Sequence, residues 1–305
     1  MTVIQKLLPP LLKLKPSHLS SEVRGKLHHV RIAGTSPDLS CFPDFMIIGP
    51  QRTGTTWLHH NLKSHPSIFL PRDKELYYFN KVDDSGVHDR GFKTLEEYLE
   101  SFLDRPRGWF KKTYDCLRKS GRFYRPKVRG EATASYAGLA PEVIREIVLL
   151  NPDIKAILMV RDPVDRAWSH ARKDLLRGGV DPQNVTQEEM ARFFRASGQR
   201  KLGSYPTMIA NWRAELRKGH LFVGDFRAIA NEPERILSAI HSFLGVPTGP
   251  RYLGDHVREK INPAAAAPIP PEADRYLREL LADEVDDYTE LTVQFADSGS
   301  GDLIL

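Results

Sequence analysis

Cysteine is nearly absent from this chain: Cys41 and Cys116 are the two among 305 residues. That excludes a disulfide framework, and their spacing suggests neither a metal site nor a redox pair. Reduced thiols in a cytosolic protein are the default this implies. Long apolar runs are missing as well. Residues 1–16 carry Ile4, Leu7, Leu8, Leu11, Leu12 and Leu14, but Lys6, Lys13 and Lys15 are interspersed and Pro9-Pro10 interrupts them. The stretch is too short to span a bilayer, and it lacks the unbroken apolar core and small-residue cleavage site of a secretory leader. A strap packed on the domain surface is the expectation, with peripheral membrane contact left open. No repeat of solenoid period is visible. No stripe of basic and aromatic residues points to nucleic acid as a substrate. The formal charge of +5 suits an anionic ligand, although a mild positive excess alone is not specific.

What is present is a strand that runs straight into a phosphate-type loop. Phe45 to Ile48 is an apolar run that reads as a buried strand. Gly49 and Gly54 follow, five apart, and then Thr55, Thr56 and Trp57 open an amphipathic helix. That is the spacing of a Walker A loop, in which backbone N–H groups cradle phosphate at a helix N-terminus. A Walker A loop places lysine directly after its second glycine. Here Thr55 stands there, and the loop's cation is Arg52. The loop is suited to phosphate and lacks the usual grip on a triphosphate. Arg52, Thr53, Thr55 and Thr56 supply more donors than a bare strand-to-helix turn needs.

A second cluster follows another buried strand, 154–160. Arg161-Asp162-Pro163 ends it, and Pro163 is suited to the first position of a helix. Ser169 lies eight residues after Arg161, about two turns along, among Arg166, Trp168, His170 and Arg172. Arginine suits phosphate because its planar fork donates two parallel hydrogen bonds. Taken alone, Arg161 paired with Asp162 at a surface is an equal reading.

Together these segments resemble the PAPS-dependent sulfotransferases, where PAPS is 3′-phosphoadenosine 5′-phosphosulfate. Gly49 to Trp57 looks like their 5′-phosphosulfate loop, and Arg161 to Ser169 looks like their 3′-phosphate segment. Lys74-Glu75-Leu-Tyr-Tyr-Phe79 and Gly130-Glu-Ala-Thr-Ala-Ser-Tyr136 are similar to stretches of the carbohydrate, heparan-type branch and its soluble bacterial relatives. The sequence departs from that pattern at Arg52, where many members carry lysine, at Ala134, where proline is usual, and at Val223-Gly224-Asp225-Phe226.

The resemblance implies a P-loop-type three-layer α/β fold, a central mostly parallel sheet flanked by helices. Periodicity is consistent with it: strand-like runs at 44–48, 67–71, 127–131, 154–160 and 220–226 alternate with helical patterns near 54–64, 94–103, 141–150, 163–177, 204–218 and 231–244. The expected layout is a lead-in at 1–43, a domain at 44–296 and a flexible tail at 297–305. PAPS is the implied sulfuryl donor, held by Arg52, Thr53, Gly54, Thr55, Thr56, Trp57, Arg161 and Ser169, with Tyr205 and Lys260 as weaker candidates. No metal is expected, since fixed donors hold the leaving phosphate and no carboxylate cluster suits Mg²⁺. The acceptor is a small molecule or carbohydrate carrying a hydroxyl or amine. Glu75 is the expected general base, Lys74 and Arg52 its catalytic partners, and His59, His60 and His65 rival bases. Glu131 contacts the acceptor, orients Lys74 or pairs structurally. Trp109 and Phe110 line an acceptor cleft or fill a subdomain. A P-loop kinase or NTPase, and a non-catalytic nucleotide-binding protein, are the competing readings.

Overall fold

The computed structural model describes residues 19–34, 37–80, 92–104, 106–177, 186–196, 198–254, 256–259 and 268–297. The expectations for residues 1–16, for Lys260 and for the tail beyond 297 lie outside them. Along the chain come α1 (Ser21–Arg24), β1 (Phe45–Gly49), α2 (Thr55–Lys63), β2 (Ile68–Phe69), α3 (Leu95–Glu100) and α4 (Pro106–Ser120). Then follow β3 (Val128–Ala132), α5 (Pro141–Leu150), β4 (Lys155–Val160), α6 (Pro163–Arg177), α7 (Gln187–Ala196), α8 (Gln199–Gly203) and α9 (Tyr205–Glu215). The chain closes with β5 (Leu221–Asp225), α10 (Phe226–Asn231), α11 (Pro233–Leu244), α12 (Pro271–Leu280) and α13 (Ala282–Asp297). Pro141, Pro163 and Pro233 each open a helix, where a missing N–H costs nothing and the fixed φ is already helical.

The five strands form one sheet in the order β2-β3-β1-β4-β5, every pair parallel. β1 is central, so all five of its residues are buried. Side chains alternate across a strand, and this splits the core into two layers. Met46, Ile48, Leu158 and Val223 face Tyr98, Phe102, Ile144, Ile147 and Trp212. Phe45, Ile47, Ile157, Met159 and Phe222 face Leu58 and Leu62 of α2 and Ile236, Leu237 and Ile240 of α11. The expected three-layer α/β architecture is the one observed. A smaller cluster joins α6, α7 and α12 through Val164, Trp168, Phe194 and Leu277. Residues 19–34 are pinned to the domain by Glu146 of α5, whose carboxylate accepts from the backbone N–H of His28, His29 and Val30. Among the described residues, no helix is long and apolar enough to cross a membrane.

Two differences from the sequence expectation stand out. β2 is only two residues long and pairs with β3 at Ile68 and Phe69. The helical pattern expected over 231–244 is preceded by a separate helix, α10, which Asp225 caps by accepting from the Arg227 N–H.

The core buries titratable groups in their neutral forms. Burial pushes His59 and His65 down to about 4 and His241 to about 3. Burial also pushes Glu131 up to about 8. Below the ordinary histidine value of 6.5, the unfolded chain takes up protons that the folded chain refuses, so stability falls as pH drops toward 4. Glu131 acts on the other side. Its contribution is complete below the ordinary 4.5 and is lost as pH rises through about 8. The melting temperature should therefore peak at intermediate pH, with each group contributing at most about 1.4 kcal/mol per pH unit. His241→Leu should flatten the acid limb and Glu131→Gln the alkaline limb. Limbs unchanged in both variants would contradict these assignments.

Candidate active site

The carboxyl ends of the strands meet at one edge of the sheet, where parallel α/β folds collect ligands. β1 ends at Gly49, whose φ is +104°. A Cβ there would lie 2.0 Å from the Ala134 carbonyl oxygen, so only glycine lets the chain leaving β3 cross the strand end. The loop then places Arg52 at φ +71° and Gly54 at φ +92°, and α2 begins at Thr55. The Thr53 hydroxyl donates to the Pro50 carbonyl (2.7 Å) and holds the loop from within. Trp57 is buried and its indole N–H donates to the Val257 carbonyl. The first backbone N–H groups of α2 have no intrahelical acceptor.

On one side of the loop sit guanidinium groups. Arg52 Nε donates to Ser169 Oγ at 2.9 Å, and Arg161 Nη1 donates to the Arg52 carbonyl at 3.1 Å. The expected cofactor residues Arg52, Arg161 and Ser169 are thus in direct contact, although 109 residues of sequence separate Arg52 from Arg161. Tyr205 is fully buried. Its hydroxyl donates to the Arg161 carbonyl (2.6 Å), so it fixes the backbone that carries the guanidinium. Arg166, also fully buried, donates through Nη2 to Gln199. Arg161 stacks over Phe226, 4.4 Å from the ring centroid. Burial lowers the pKa of Arg52, with Arg161 and Arg172 adding to it. Burial likewise lowers Arg161 and Arg166. Arginine does not release its proton in proteins, so these shifts mean that positive charge is crowded and half desolvated here. Arg161 Nε is buried without a partner among the described residues. An anion with several oxygens is the ligand that relieves both conditions.

On the other side sits an ammonium–carboxylate pair. Lys74 Nζ donates to Thr55 Oγ1 (2.9 Å) and Thr56 Oγ1 (3.1 Å) and lies 2.8 Å from Glu75 Oε1. Glu75 has φ +66° and Tyr77 φ +59°. With Arg52 they are the non-glycine residues at positive φ among the described residues, and such strain persists only where the surroundings impose it. Here β3 imposes it. The Glu75 N–H donates to the Ala132 carbonyl (2.8 Å), and Glu75 Oε2 accepts from the Ala134 N–H (2.8 Å).

Glu131 lies beneath, fully buried, accepting from the Tyr98 hydroxyl (2.5 Å) and the Thr133 hydroxyl (3.3 Å). Thr133 Oγ1 also accepts from the Leu76 N–H (3.0 Å). Of the three roles open to Glu131, contact with an acceptor is the one its burial removes.

The rival bases are placed differently. His65 uses both ring nitrogens, with Ser67 N–H donating to Nδ1 and Nε2 on the Pro247 carbonyl. His60 packs edge-on against His256, and His59 is buried in α2. Trp109 packs partly buried against the core, whereas Phe110 is exposed. Phe226 and Gln199 are site residues that sequence reasoning did not single out. An aromatic directly after a strand ending in Asp225 was the available signal for Phe226.

A model of the sulfotransferase family matches residues 43–250, and this chain belongs to that family. It is similar to the membrane-associated sulfotransferase kil1 of Dictyostelium discoideum, 31% identical over 131 residues covering 43% of this chain and 23% of that protein. It is also similar to the bifunctional heparan sulfate N-deacetylase/N-sulfotransferase 4 of mouse, 29% identical over 221 residues covering 67% of this chain and 22% of that protein. The chain thus spans under a quarter of the length of these curated relatives. The sulfotransferase from Alicyclobacillus acidocaldarius shares its fold, with a TM-score of 0.60 at 22% identity over 82% of this chain and 95% of that one.

Gly54 offers a direct check of the loop's geometry. Its φ of +92° is unfavourable for any side chain, and a Cβ would lie 2.6 Å from Ile229 Cδ1. Gly54→Ala should lower stability by about 1–2 kcal/mol, read by urea denaturation. An unchanged midpoint would mean that the loop relaxes to another conformation.

Proposed function

We propose that this protein transfers a sulfuryl group from 3′-phosphoadenosine 5′-phosphosulfate to a hydroxyl or amine, most simply that of a carbohydrate. The observation that carries the reading is the contact between the two anion-binding halves: Arg52 Nε on Ser169 Oγ and Arg161 Nη1 on the Arg52 carbonyl. A triphosphate needs one phosphate cradle. A nucleotide with phosphate on both ends of its ribose needs two, joined at a fixed separation. The relative from mouse is named for heparan sulfate, and its likeness to this chain, together with the Lys74-Glu75 pair, supports a carbohydrate acceptor.

The donor supplies an activated sulfuryl group attached to a phosphate leaving group. The chain's residues do the rest. Glu75 takes the proton of the acceptor as the acceptor atom bonds to sulfur. The bond from sulfur to the phosphate oxygen breaks, and its electron pair stays on that oxygen. The Arg52 guanidinium and the N–H groups at the start of α2 stabilise the charge that develops there. Lys74, already donating to Thr55 and Thr56, is positioned to balance charge between Glu75 and the loop. Positioning of this kind supplies most of the acceleration in related phosphoryl transfers.

Glu75→Gln retains the shape and removes the basic oxygen. Turnover with labelled donor over a panel of carbohydrate acceptors should fall by about 10²–10⁴, in kcat as well as kcat/KM, while donor affinity holds. Near-normal turnover in Glu75→Gln, with loss in a His59 variant, would move the base to the histidine.

Arg161→Ala tests the second cradle. Removing a charged hydrogen-bond partner costs about 1.5–3 kcal/mol. Binding of adenosine 3′,5′-bisphosphate should weaken accordingly, while binding of adenosine 5′-phosphate should barely change. Equal losses for both ligands would overturn the assignment.

A further inference from the structure

Six large hydrophobic side chains stand exposed among the described residues: Leu103, Phe110, Tyr114, Leu117, Phe123 and Val293. Five of them fall within 103–123, on and around α4, and that clustering separates them from the scattered apolar residues any surface carries. The helix has three stripes. The inward one carries Trp109, Thr113 and Cys116; the Cys116 thiol reaches the Ser64 carbonyl at the end of α2. Beside these, Phe110, Tyr114 and Leu117 recur at i, i+4 and i+7 and are 63%, 68% and 38% exposed. The next stripe holds Lys111 and Arg118, both exposed.

The flanking chain repeats this chemistry. Leu103 precedes the helix at 54% exposure, and Phe123 follows it at 64% between exposed Arg122 and Arg125. Lys127 is exposed too, whereas Asp104 and Asp115, the acids of the stretch, are only half-exposed. The inner side is firmly fastened: Lys112 Nζ lies over the rings of Phe69 and Tyr124 at 4.7 and 4.9 Å. The outer stripes are therefore presented on an element whose inner side is anchored to the core.

We propose that this face of α4, with Leu103 and Phe123 at its ends, docks the protein on an anionic lipid surface. An aromatic stripe flanked by a cationic one is the arrangement of a helix lying in a membrane interface. The apolar side chains enter the headgroup boundary and the cations meet lipid phosphates and carboxylates. Of the competing occupants, a soluble polyanion would engage the cations and leave five apolar side chains in water. A second copy related by a twofold axis would bring like-charged stripes together.

The test uses the full chain and sedimentation with two kinds of vesicle, phosphatidylcholine alone and phosphatidylcholine with phosphatidylserine. The protein should pellet with the serine-lipid vesicles and be released by high salt. Phe110→Ser/Tyr114→Ser/Phe123→Ser should weaken partition at least about tenfold. Lys111→Glu/Arg118→Glu should weaken it by about fivefold for each cation removed, or more. Both variants should keep the wild-type melting temperature and their affinity for adenosine 3′,5′-bisphosphate, since the altered side chains are exposed and outside the active site. Any of three results overturns the proposal: no binding to either vesicle, vesicle binding unchanged in both variants, or self-association without vesicle binding that the aromatic variant abolishes.

Discussion

The structure turns on one junction, where the Arg161 guanidinium donates to the carbonyl of Arg52 and the Arg52 guanidinium donates to Ser169. These bonds join the loop after the central strand to the end of β4 and the second turn of α6. Without them the loop after β1 would have no fixed relation to the segment Arg161 to Ser169. With them, two donor sets from distant parts of the chain form one surface. The cost is visible in the same place. Burial lowers the pKa values of Arg52, Arg161 and Arg166, and neighbouring guanidinium groups add to it. The fold holds that arrangement because Phe226, Tyr205 and Gln199 pack around it. Crowded, partly desolvated positive charge favours a ligand that neutralises it.

The opposite wall obeys a different constraint. Glu75 sits in the left-handed region because both its N–H and its carboxylate are tied to the chain leaving β3. Gly49 is what allows that chain to pass, and Glu131, Thr133 and Tyr98 hold it from below. Lys74 then links the carboxylate to the threonines that open α2. In the proposed reaction, one ammonium group therefore links the carboxylate that takes the proton to the loop that holds the donor.

Much of this was legible in the sequence, and the reason differs by element. The strand–loop–helix at 45–63 is written locally: an apolar run, two glycines with the right spacing, then helix-forming residues. Pro163 marks the start of α6 and the helical repeat fixes where Ser169 stands, but the joint role of Arg161 and Ser169 was legible only through the resemblance of the segment to the sulfotransferases. The alternation of strands and helices pointed to the parallel sheet, most plainly at β1 and β4, whose runs are almost wholly apolar; β3 carries the buried Arg129 and Glu131 and is the less obvious strand. The left-handed turn at Glu75 was not readable, because neither Glu75 nor Tyr77 favours positive φ and the ties come from residues more than fifty positions away. The helices α4, α7 and α12 carry no motif and are largely polar, so their place depended on packing against partners far along the chain. Stacking of Arg161 on Phe226 was hidden for the same reason.

The central claim is that the two anion-binding halves act as one site for a nucleotide phosphorylated at both ends of its ribose. Calorimetric titration of the wild-type chain with adenosine 3′,5′-bisphosphate and with ATP, at equal ionic strength, tests it most directly. The account predicts tighter binding of the bisphosphate by at least about tenfold, because Arg161 and Ser169 engage the 3′-phosphate and the loop lacks the lysine that grips a triphosphate. ATP binding as tight as the bisphosphate, or tighter, would contradict it.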